Sequence, residues 1–152
     1  MDNDAIIESI LTVEEGFKAL VYDDATGKLV VPGYTLIGNP TIGYGWAVNK
    51  SPMSKDEALL VLRNRYSDAA SNLSIALEWF ATLSPVRRAV LVVMAYQMGT
   101  AGLLGFHNTL HACQVGDWTT ASQLMLESAW AKQTPARALR MSKMMQTGNL
   151  VQ

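Results

Sequence analysis

Cysteine is nearly absent from this sequence, since Cys113 is the only one in 152 residues. An internal disulfide is therefore excluded, and the fold cannot depend on an oxidising compartment, although a protein without disulfides can still act in one. We expect Cys113 to serve as a small buried apolar residue.

Long apolar runs are also missing. None approaches the roughly 20 residues that a membrane-spanning helix requires, so no stable membrane insertion is expected. The first four residues include Asp2 and Asp4, where a secretory signal would be basic, so the chain as given carries no predicted export signal.

Histidine is scarce, and this argues against a metal site. His107 and His111 lie one helical turn apart, and no Cys or carboxylate stands near them at zinc-like spacing. A phosphate-binding glycine loop and a nucleophile elbow are not recognisable either. No metal and no organic cofactor are therefore predicted.

The net charge of −1 argues against a dedicated nucleic-acid-binding protein, but the charge is unevenly distributed. Residues 1–24 carry seven acids and one lysine, whereas residues 130–152 carry four bases and no acid. The basic end is either a solvated helix face, or a set of bases that neutralise buried acids or meet an anionic polymer. The sequence leaves these alternatives open.

The first third of the chain predicts one helix followed by a small sheet. Apolar residues recur at helical spacing from Asp4 to Lys18, which indicates a helix with one buried stripe, with Asp2 or Asn3 as its N-cap. Glu15 points away from that stripe. Turn residues then alternate with short β-branched and aromatic runs, which predict about three antiparallel strands at Leu29–Val31, Tyr34–Ile37 and Thr41–Trp46.

The rest of the chain predicts helices. Ser54 and Glu57 form a capping box, and Pro85 opens an apolar segment that we expect to be the buried central helix. Further helices are predicted at about 103–115, 119–131 and 135–146. This order predicts an α+β protein with a cleft between sheet and helices. Gly43 and Gly45 indicate that backbone or ligand closely approaches the last strand.

Two carboxylates are the remaining candidates for chemistry: Glu15 near the end of the first helix, and Asp24 in the turn that opens the sheet. Hydrolysis of a glycosidic bond needs one carboxyl group to protonate the leaving oxygen and a second on the opposite side of the sugar. By themselves, paired acids in a small protein are more often solvated surface residues.

Ordered motifs across residues 8–148 resemble the T-even phage-type lysozymes, glycoside hydrolase family twenty-four. The similar segments are Glu15-Gly16, Tyr22-Asp23-Asp24, Gly27, Thr41-Ile42-Gly43-Tyr44-Gly45, Val86-Arg87-Arg88, Gln97-Met98-Gly99, Gly105-Phe106, Asn108, Gln133-Thr134-Pro135 and Arg137-Ala138. The resemblance implies a lysozyme-like catalytic domain over residues 1–152, with a sheet lobe at about 19–50 and a helical lobe formed by 1–18 and 51–152.

The resemblance also implies roles for individual residues. Glu15 would be the general acid, Asp24 the second carboxylate, and Thr41 the hydroxyl that positions the attacking water. The family's inverting reaction implies that the two carboxyl groups lie about 6.5 to 9.5 Å apart, which leaves room for water. Arg137 matches an arginine that pairs with the catalytic glutamate, and this pairing would lower the pKa of an acid that must keep its proton.

Other matched positions concern the glycan-binding cleft. Tyr96 and Thr109 match residues that line it, and Gln97 lies beside them; Tyr96 is alternatively a core aromatic residue. Trp130 is better assigned to packing. The sequence departs from the family at three places: Leu124 replaces a cleft asparagine, Trp46 replaces a structural histidine, and thirteen residues, Lys28 to Pro40, separate Gly27 from Thr41.

The implied function is that of an endolysin: a monomeric muramidase that hydrolyses the β-1,4 bond between N-acetylmuramic acid and N-acetylglucosamine in peptidoglycan. It would accumulate in the host cytoplasm and reach the cell wall through a holin pore. Two alternatives remain. A lytic transglycosylase needs one catalytic acid and makes an anhydro product, and a wall-binding module would keep the fold without activity.

Overall fold

The computed structural model describes residues 3–151, apart from the side chain of Asn3. The predicted caps of the first helix, Asp2 and the Asn3 side chain, lie outside the described part. The structure is 64% helical with a small three-stranded antiparallel sheet, and this confirms the predicted α+β class. It divides into two compact units, Met1–Ala58 and Leu59–Gln152. The first unit contains the first helix and the sheet. The lobe boundaries implied by the resemblance stay a prediction.

Helix α1, Asn3–Glu15, opens the first unit. It ends three residues before the predicted end at Lys18, because Gly16 adopts the left-handed backbone conformation (φ 64°) that terminates helices. The short sheet of this unit does not cover the apolar stripe, whose side chains are 45 to 78% exposed: Ile6, Ile7, Ile10, Val13 and Phe17. The first unit by itself therefore does not bury the stripe, and its burial stays a prediction.

The sheet consists of β1 (Lys18–Asp23), β2 (Pro40–Gly43) and β3 (Trp46–Ala47), in that order and antiparallel. Tyr22 of β1 pairs with Thr41 of β2, and Thr41 pairs on its other side with Ala47 of β3. The sequence pattern did not predict β1. Of the three predicted strands, only the region of Thr41–Trp46 is confirmed, as β2 and β3 joined by a tight turn.

The segments Leu29–Val31 and Tyr34–Ile37 are not strands. Leu29 forms one isolated bridge with Tyr22, and no strand is assigned in Tyr34–Ile37. For Tyr34–Ile37 the reason is a contact with a residue distant in sequence: the backbone N–H groups of Ile37 and of the adjacent Gly38 donate to the side chain of Asp23. Donors that a strand would use for pairing are therefore already occupied.

Trp46 keeps a structural role at the position where the resembled family has histidine. Its indole N–H donates to the carbonyl of Ser51 at 2.6 Å, which ties β3 to the turn that follows it.

Helix α2, Lys55–Ala76, begins as predicted after a capping box. The Ser54 hydroxyl accepts a hydrogen bond from the Glu57 backbone N–H (3.2 Å), and the Glu57 carboxylate accepts one from the Ser54 backbone N–H (2.7 Å). These reciprocal bonds satisfy two backbone donors that a helix start leaves unpaired. The Ser54 hydroxyl also donates to the Glu57 carboxylate at 2.6 Å, and this bond, followed by that from the Ser54 N–H, lowers the pKa of Glu57.

Five further helices follow in the second unit. They are α3 (Pro85–Leu104), α4 (His107–Val115), α5 (Trp118–Glu127), α6 (Ala129–Gln133) and α7 (Pro135–Thr147), with a short 3₁₀ turn at Phe80–Thr82. The predicted helix at 119–131 is two helices, because Ser128 is extended and caps α6 by accepting from the backbone N–H of Ala131. The other predicted helices are confirmed, with shifts at their ends.

Helix α3 supplies much of the core of this unit, but it is not buried on all sides. Leu91 and Met94 are fully buried, whereas Val93 and Tyr96 are exposed, so the helix packs on one face. Cys113 lies in the same core, as predicted, with its sulfur 3.7 Å from that of Met145. Burial raises the pKa of its thiol to about 11, so it is protonated and unreactive at neutral pH.

The end of α7 is held by an arginine from α3. The Arg87 guanidinium donates to the carbonyls of Met145 (2.8 Å) and Gln146 (3.1 Å) and stacks on the ring of Trp118, 3.9 Å from its centroid. A planar guanidinium can make these contacts together, and an ammonium cannot.

Within residues 3–151, no single helix is both long and apolar enough to cross a membrane; α3 and α4 reach that length and composition only as a pair bent by 102°.

The capping box of α2 predicts the effect of one substitution. Ser54→Ala removes the hydroxyl that satisfies a helix-start donor, so we expect it to lower the free energy of unfolding by about 1 kcal/mol in urea titrations. Ser67→Ala makes the same chemical change at an exposed position inside α2 and should be neutral or slightly stabilising. Equal losses in both variants would contradict the capping role.

Candidate active site

Glu15 is the last residue of α1, and its carboxylate lies against the turn between β2 and β3. A Cβ atom built on Gly45 would overlap the carboxylate oxygen Oε2 and lie 2.9 Å from Cδ of Glu15. Glycine at position 45 leaves room for the carboxylate in this orientation. The predicted close approach at Gly45 is confirmed, and the approaching group is Glu15.

An aromatic pair is formed by the same turn and the segment that follows α1. The rings of Phe17 and Tyr44 have centroids 5.5 Å apart and planes inclined by 52°, a favourable tilted arrangement. Tyr44 lies between Gly43 and Gly45 in the turn. The pair therefore holds the turn close to the end of α1, where Glu15 lies.

Asp23, at the end of β1, has a fully buried carboxylate. It accepts hydrogen bonds from four donors: the backbone N–H groups of Ile37 (2.8 Å), Gly38 (2.9 Å) and Ala25 (3.0 Å), and the hydroxyl of Tyr34 (3.0 Å). These bonds, led by that from Ile37, hold the pKa of Asp23 below its ordinary value despite burial. Asp23 is thus an ionised anchor for the loop between β1 and β2.

Asp24 is exposed and is held by Asn39 on both carboxylate oxygens. The Asn39 backbone N–H donates to Oδ1 at 2.7 Å, and its side-chain amide donates to Oδ2 at 2.8 Å. These two bonds lower the pKa of Asp24, with the backbone bond contributing most. Asp24 is therefore available as an ionised carboxylate at neutral pH.

Thr41 lies in β2 and its side chain is buried, with 2% of the residue exposed. Its hydroxyl donates to the carbonyl of Asn39 at 3.2 Å, and no hydrogen bond joins it directly to Asp24 among the described residues. The hydroxyl oxygen can still accept a hydrogen bond. Its role in positioning water stays a prediction.

The second unit contains the predicted sugar-binding residues, but they do not share one cavity. Thr109 is buried and lines a cavity of about 610 Å³ together with Leu124 and Trp130. Gln97 accepts a hydrogen bond from the Trp130 indole N–H at 2.8 Å. Trp130 itself is buried, which confirms its assignment to packing.

Tyr96 lies elsewhere in this unit. It is 49% exposed, so its interpretation as a core aromatic residue is wrong, and it lines a polar cavity whose other members include Arg65, Asp68, Asn72 and Thr100. Arg137 is exposed near the start of α7, where it lines a shallow cavity with Arg140. The pairing of Arg137 with Glu15 stays a prediction.

Two residues that organise the site were not singled out by the sequence. In the sequence, Asp23 stands out only as a neighbour of Asp24, and Asn39 only as one of the turn residues between two predicted strands. Their roles depend on contacts between positions about fifteen residues apart. The one available signal was an Asp-Asp pair at a strand end, followed later by a second cluster of turn residues.

No family model matches the chain, but comparison with known proteins finds relatives. The chain is 28% identical to the pre-baseplate central spike protein Gp5 of Enterobacteria phage T4 over 93% of its own length and 28% of that protein. It is 26% identical to probable T4-type lysozyme 2 of Dictyostelium discoideum over 95% of both chains. Probable T4-type lysozyme 1 of the same organism is 31% identical, over 47% of this chain and 42% of that protein.

The chain thus spans under half the length of two of these relatives and nearly the full length of the third. Together they confirm the resemblance to T4-type lysozymes that the sequence motifs indicated.

The contact between Glu15 and Gly45 predicts a difference between two glycine substitutions. Gly43→Ala and Gly45→Ala both place a side chain at positive φ (67° and 72°), which costs about 1 to 2 kcal/mol. A Cβ at position 43 meets no atom within 4 Å, whereas one at position 45 displaces the Glu15 carboxylate. Because Glu15 is exposed and its carboxylate is the end of a flexible side chain, it can move aside, so urea unfolding should show similar losses for the two variants. The NMR signal of the Glu15 carboxyl carbon should shift in Gly45→Ala and stay in place in Gly43→Ala; a signal that is unmoved in both variants would refute the close contact.

The buried Asp23 predicts a pH-dependent stability. Because its pKa in the folded state lies below the ordinary 3.8, the stabilisation is present above that value and is lost as the pH falls through the folded pKa. Tyr34→Phe removes one donor to Asp23 and raises this pKa, and it also removes the bond between the Tyr34 and Thr26 hydroxyls. The variant should therefore be less stable than the wild type at about pH 7, and the difference should narrow towards about pH 2 as Asp23 is protonated.

Urea unfolding at both pH values measures this effect. Tyr66→Phe, which removes the hydroxyl of a partly exposed tyrosine on α2, is the matched control and should not show the convergence. A stability difference for Tyr34→Phe that is the same at both pH values would rule out the link to Asp23.

Proposed function

We propose that this relative of the T4-type lysozymes is a muramidase that hydrolyses the β-1,4 bond between N-acetylmuramic acid and N-acetylglucosamine in peptidoglycan. One observation carries the proposal: the unit that packs Glu15 against Gly45 also holds a second carboxylate, Asp24, with two hydrogen bonds that favour its ionised form. Glycoside hydrolysis uses a pair of carboxyl groups, one as acid and one as base or nucleophile.

In the proposed reaction Glu15 is the general acid. It donates its proton to the glycosidic oxygen as the bond from that oxygen to the anomeric carbon breaks. Asp24 acts as general base and accepts a proton from the water that attacks the anomeric carbon from the opposite face. The products are a new reducing end with inverted configuration and a free hydroxyl on the leaving sugar, so protons and bonds balance without a cofactor.

Thr41 would assist by orienting the attacking water. Its hydroxyl hydrogen is directed to the carbonyl of Asn39, which leaves the oxygen as an acceptor for a water proton. In the second unit, we assign sugar binding to the cavity lined by Thr109 and Trp130. Gln97 would contribute indirectly, by accepting the hydrogen bond of the Trp130 indole N–H and so fixing that ring. Tyr96 would contribute from its own polar cavity.

The finer biological role belongs to the same proposal. The enzyme would act as an endolysin that degrades the host wall, after accumulation in the host cytoplasm and release through a holin pore. Similarity to a phage T4 spike protein supports a phage context. Expression in a bacterial host with and without a co-expressed holin tests this role, because lysis should require both proteins and an intact Glu15.

Digestion of purified murein, with mass analysis of the products, tests the activity. We expect reducing muropeptides from the wild type and about a 100-fold to 10,000-fold lower rate for Glu15→Gln and for Asp24→Asn. Glu14→Gln, which neutralises the neighbouring exposed acid, is the matched control and should retain activity.

The products also separate the alternatives. Anhydro sugars, formed even by Asp24→Asn, would identify a lytic transglycosylase instead. Wild-type protein that binds murein without cleaving it would identify a wall-binding module. For the hydrolase, an NMR spectrum recorded during digestion should show the inverted anomer first, and initial retention of configuration would exclude Asp24 as a base acting through water.

A further inference from the structure

We propose that Asn39 is the positioning residue of this site, which orients the Asp24 carboxylate and links it to the Thr41 hydroxyl. The assignment builds on the proposed function, because it explains how the second carboxylate and the water-orienting hydroxyl are placed together. Asn39 lies in the loop between β1 and β2, inside the thirteen-residue segment that departs from the resembled family.

The contacts between Asn39 and Asp24 are reciprocal. Asn39 donates one hydrogen bond to each carboxylate oxygen, at 2.7 and 2.8 Å, and its carbonyl accepts the backbone N–H of Asp24 at 3.1 Å. Three bonds between two residues fix both the backbone and the side chain of Asp24. The carboxylate cannot rotate without losing at least one of them.

The carbonyl of Asn39 is also the acceptor for the Thr41 hydroxyl, at 3.2 Å. Asp24 and Thr41 therefore share one residue as their common partner, although they make no direct hydrogen bond to each other among the described residues. A shift of Asn39 would move both groups together. This arrangement places the proposed base and the proposed water-orienting hydroxyl on one scaffold.

Asn39 is itself held in place from two sides. The side-chain amide of Asn49 donates to Asn39 Oδ1 at 3.2 Å, which leaves the Asn39 Nδ2 group to face Asp24. On the other side, the Gly38 N–H is bound by Asp23, and a Cβ at Gly38 would overlap the Asp24 carboxylate and lie 2.7 Å from that of Asp23. The orientation of the Asn39 amide is thus set by neighbours rather than by solvent.

The two bonds from Asn39 favour the charged form of Asp24, as a general base requires. Two charged groups also face this carboxylate: Asp23 raises its pKa and Lys50 lowers it. Both are unchanged in an Asn39 variant. Each Asp24 oxygen also keeps a lone pair for water, because a carboxylate oxygen has two and Asn39 uses one.

The test compares Asn39→Leu, which removes the amide bond to Asp24 Oδ2 and keeps the backbone bonds of residue 39, with Asn49→Leu, which removes only the partner of that amide. For Asn39→Leu we expect kcat on murein to fall about 10-fold to 100-fold with little change in KM, because the Asp24 carboxylate is then held at Oδ1 alone and can rotate. The acid limb of its pH profile should move to higher pH. Asn49→Leu should show the same changes to a smaller extent.

A second measurement does not depend on catalysis. The carboxyl carbon of Asp24, assigned by comparison with Asp24→Asn, is titrated by NMR in the full-length wild type and in Asn39→Leu. We expect its midpoint to move to higher pH in the variant. Thermal unfolding of each protein establishes that the chain is folded during the titration.

The outcomes separate the two proposals. A loss of kcat with an unmoved Asp24 titration and an unmoved acid limb would overturn the positioning role, because a purely structural defect gives that result. A wild type that does not cleave murein would overturn the proposed function. In that case the Asp24 titration would still decide for or against the contact with Asn39.

Discussion

The buried carboxylate of Asp23 is the interaction on which the candidate site depends. A charged group that is fully removed from solvent must be paired or hydrogen-bonded, and Asp23 satisfies this requirement with four donors, three of them backbone N–H groups. Two of those donors, at Ile37 and Gly38, lie at the far end of a long loop. The loop from Lys28 to Pro40 is therefore folded back onto the end of β1 by one side chain.

The rest of the site follows from this anchor in a short chain of contacts. Asp23 fixes Gly38, the next residue is Asn39, and Asn39 holds both Asp24 and Thr41. Glu15 is positioned separately, by the space that Gly45 leaves in the turn between β2 and β3. The first unit thus positions its two carboxylates independently. Hydrogen bonds from Asn39 hold Asp24, whereas Glu15 occupies the space that is free because Gly45 has no side chain.

Local rules predicted the parts of the fold in which neighbouring residues interact. The capping box at Ser54, the helix start at Pro85 and the burial of Cys113 were all predicted correctly. Predictions failed where a distant group intervened. Tyr34–Ile37 has a strand-like composition, but the Asp23 carboxylate takes the donor of Ile37, and β1 was missed because its partner β2 lies beyond the long loop.

The sequence by itself determined most of the helices, the presence of a small sheet after the first of them, the two candidate acids and the resemblance to T4-type lysozymes, because these depend on local periodicity and on ordered motifs. Only the tertiary structure decided that Asp23 is an ionised anchor, that Asn39 binds both oxygens of Asp24, and that Glu15 packs on Gly45. These contacts join residues that are distant in sequence, because the loop between β1 and β2 folds back onto the end of β1. The spacing of residues along the sequence does not predict this fold-back, because the loop is held by the buried charge of Asp23 and not by a repeating pattern of residues.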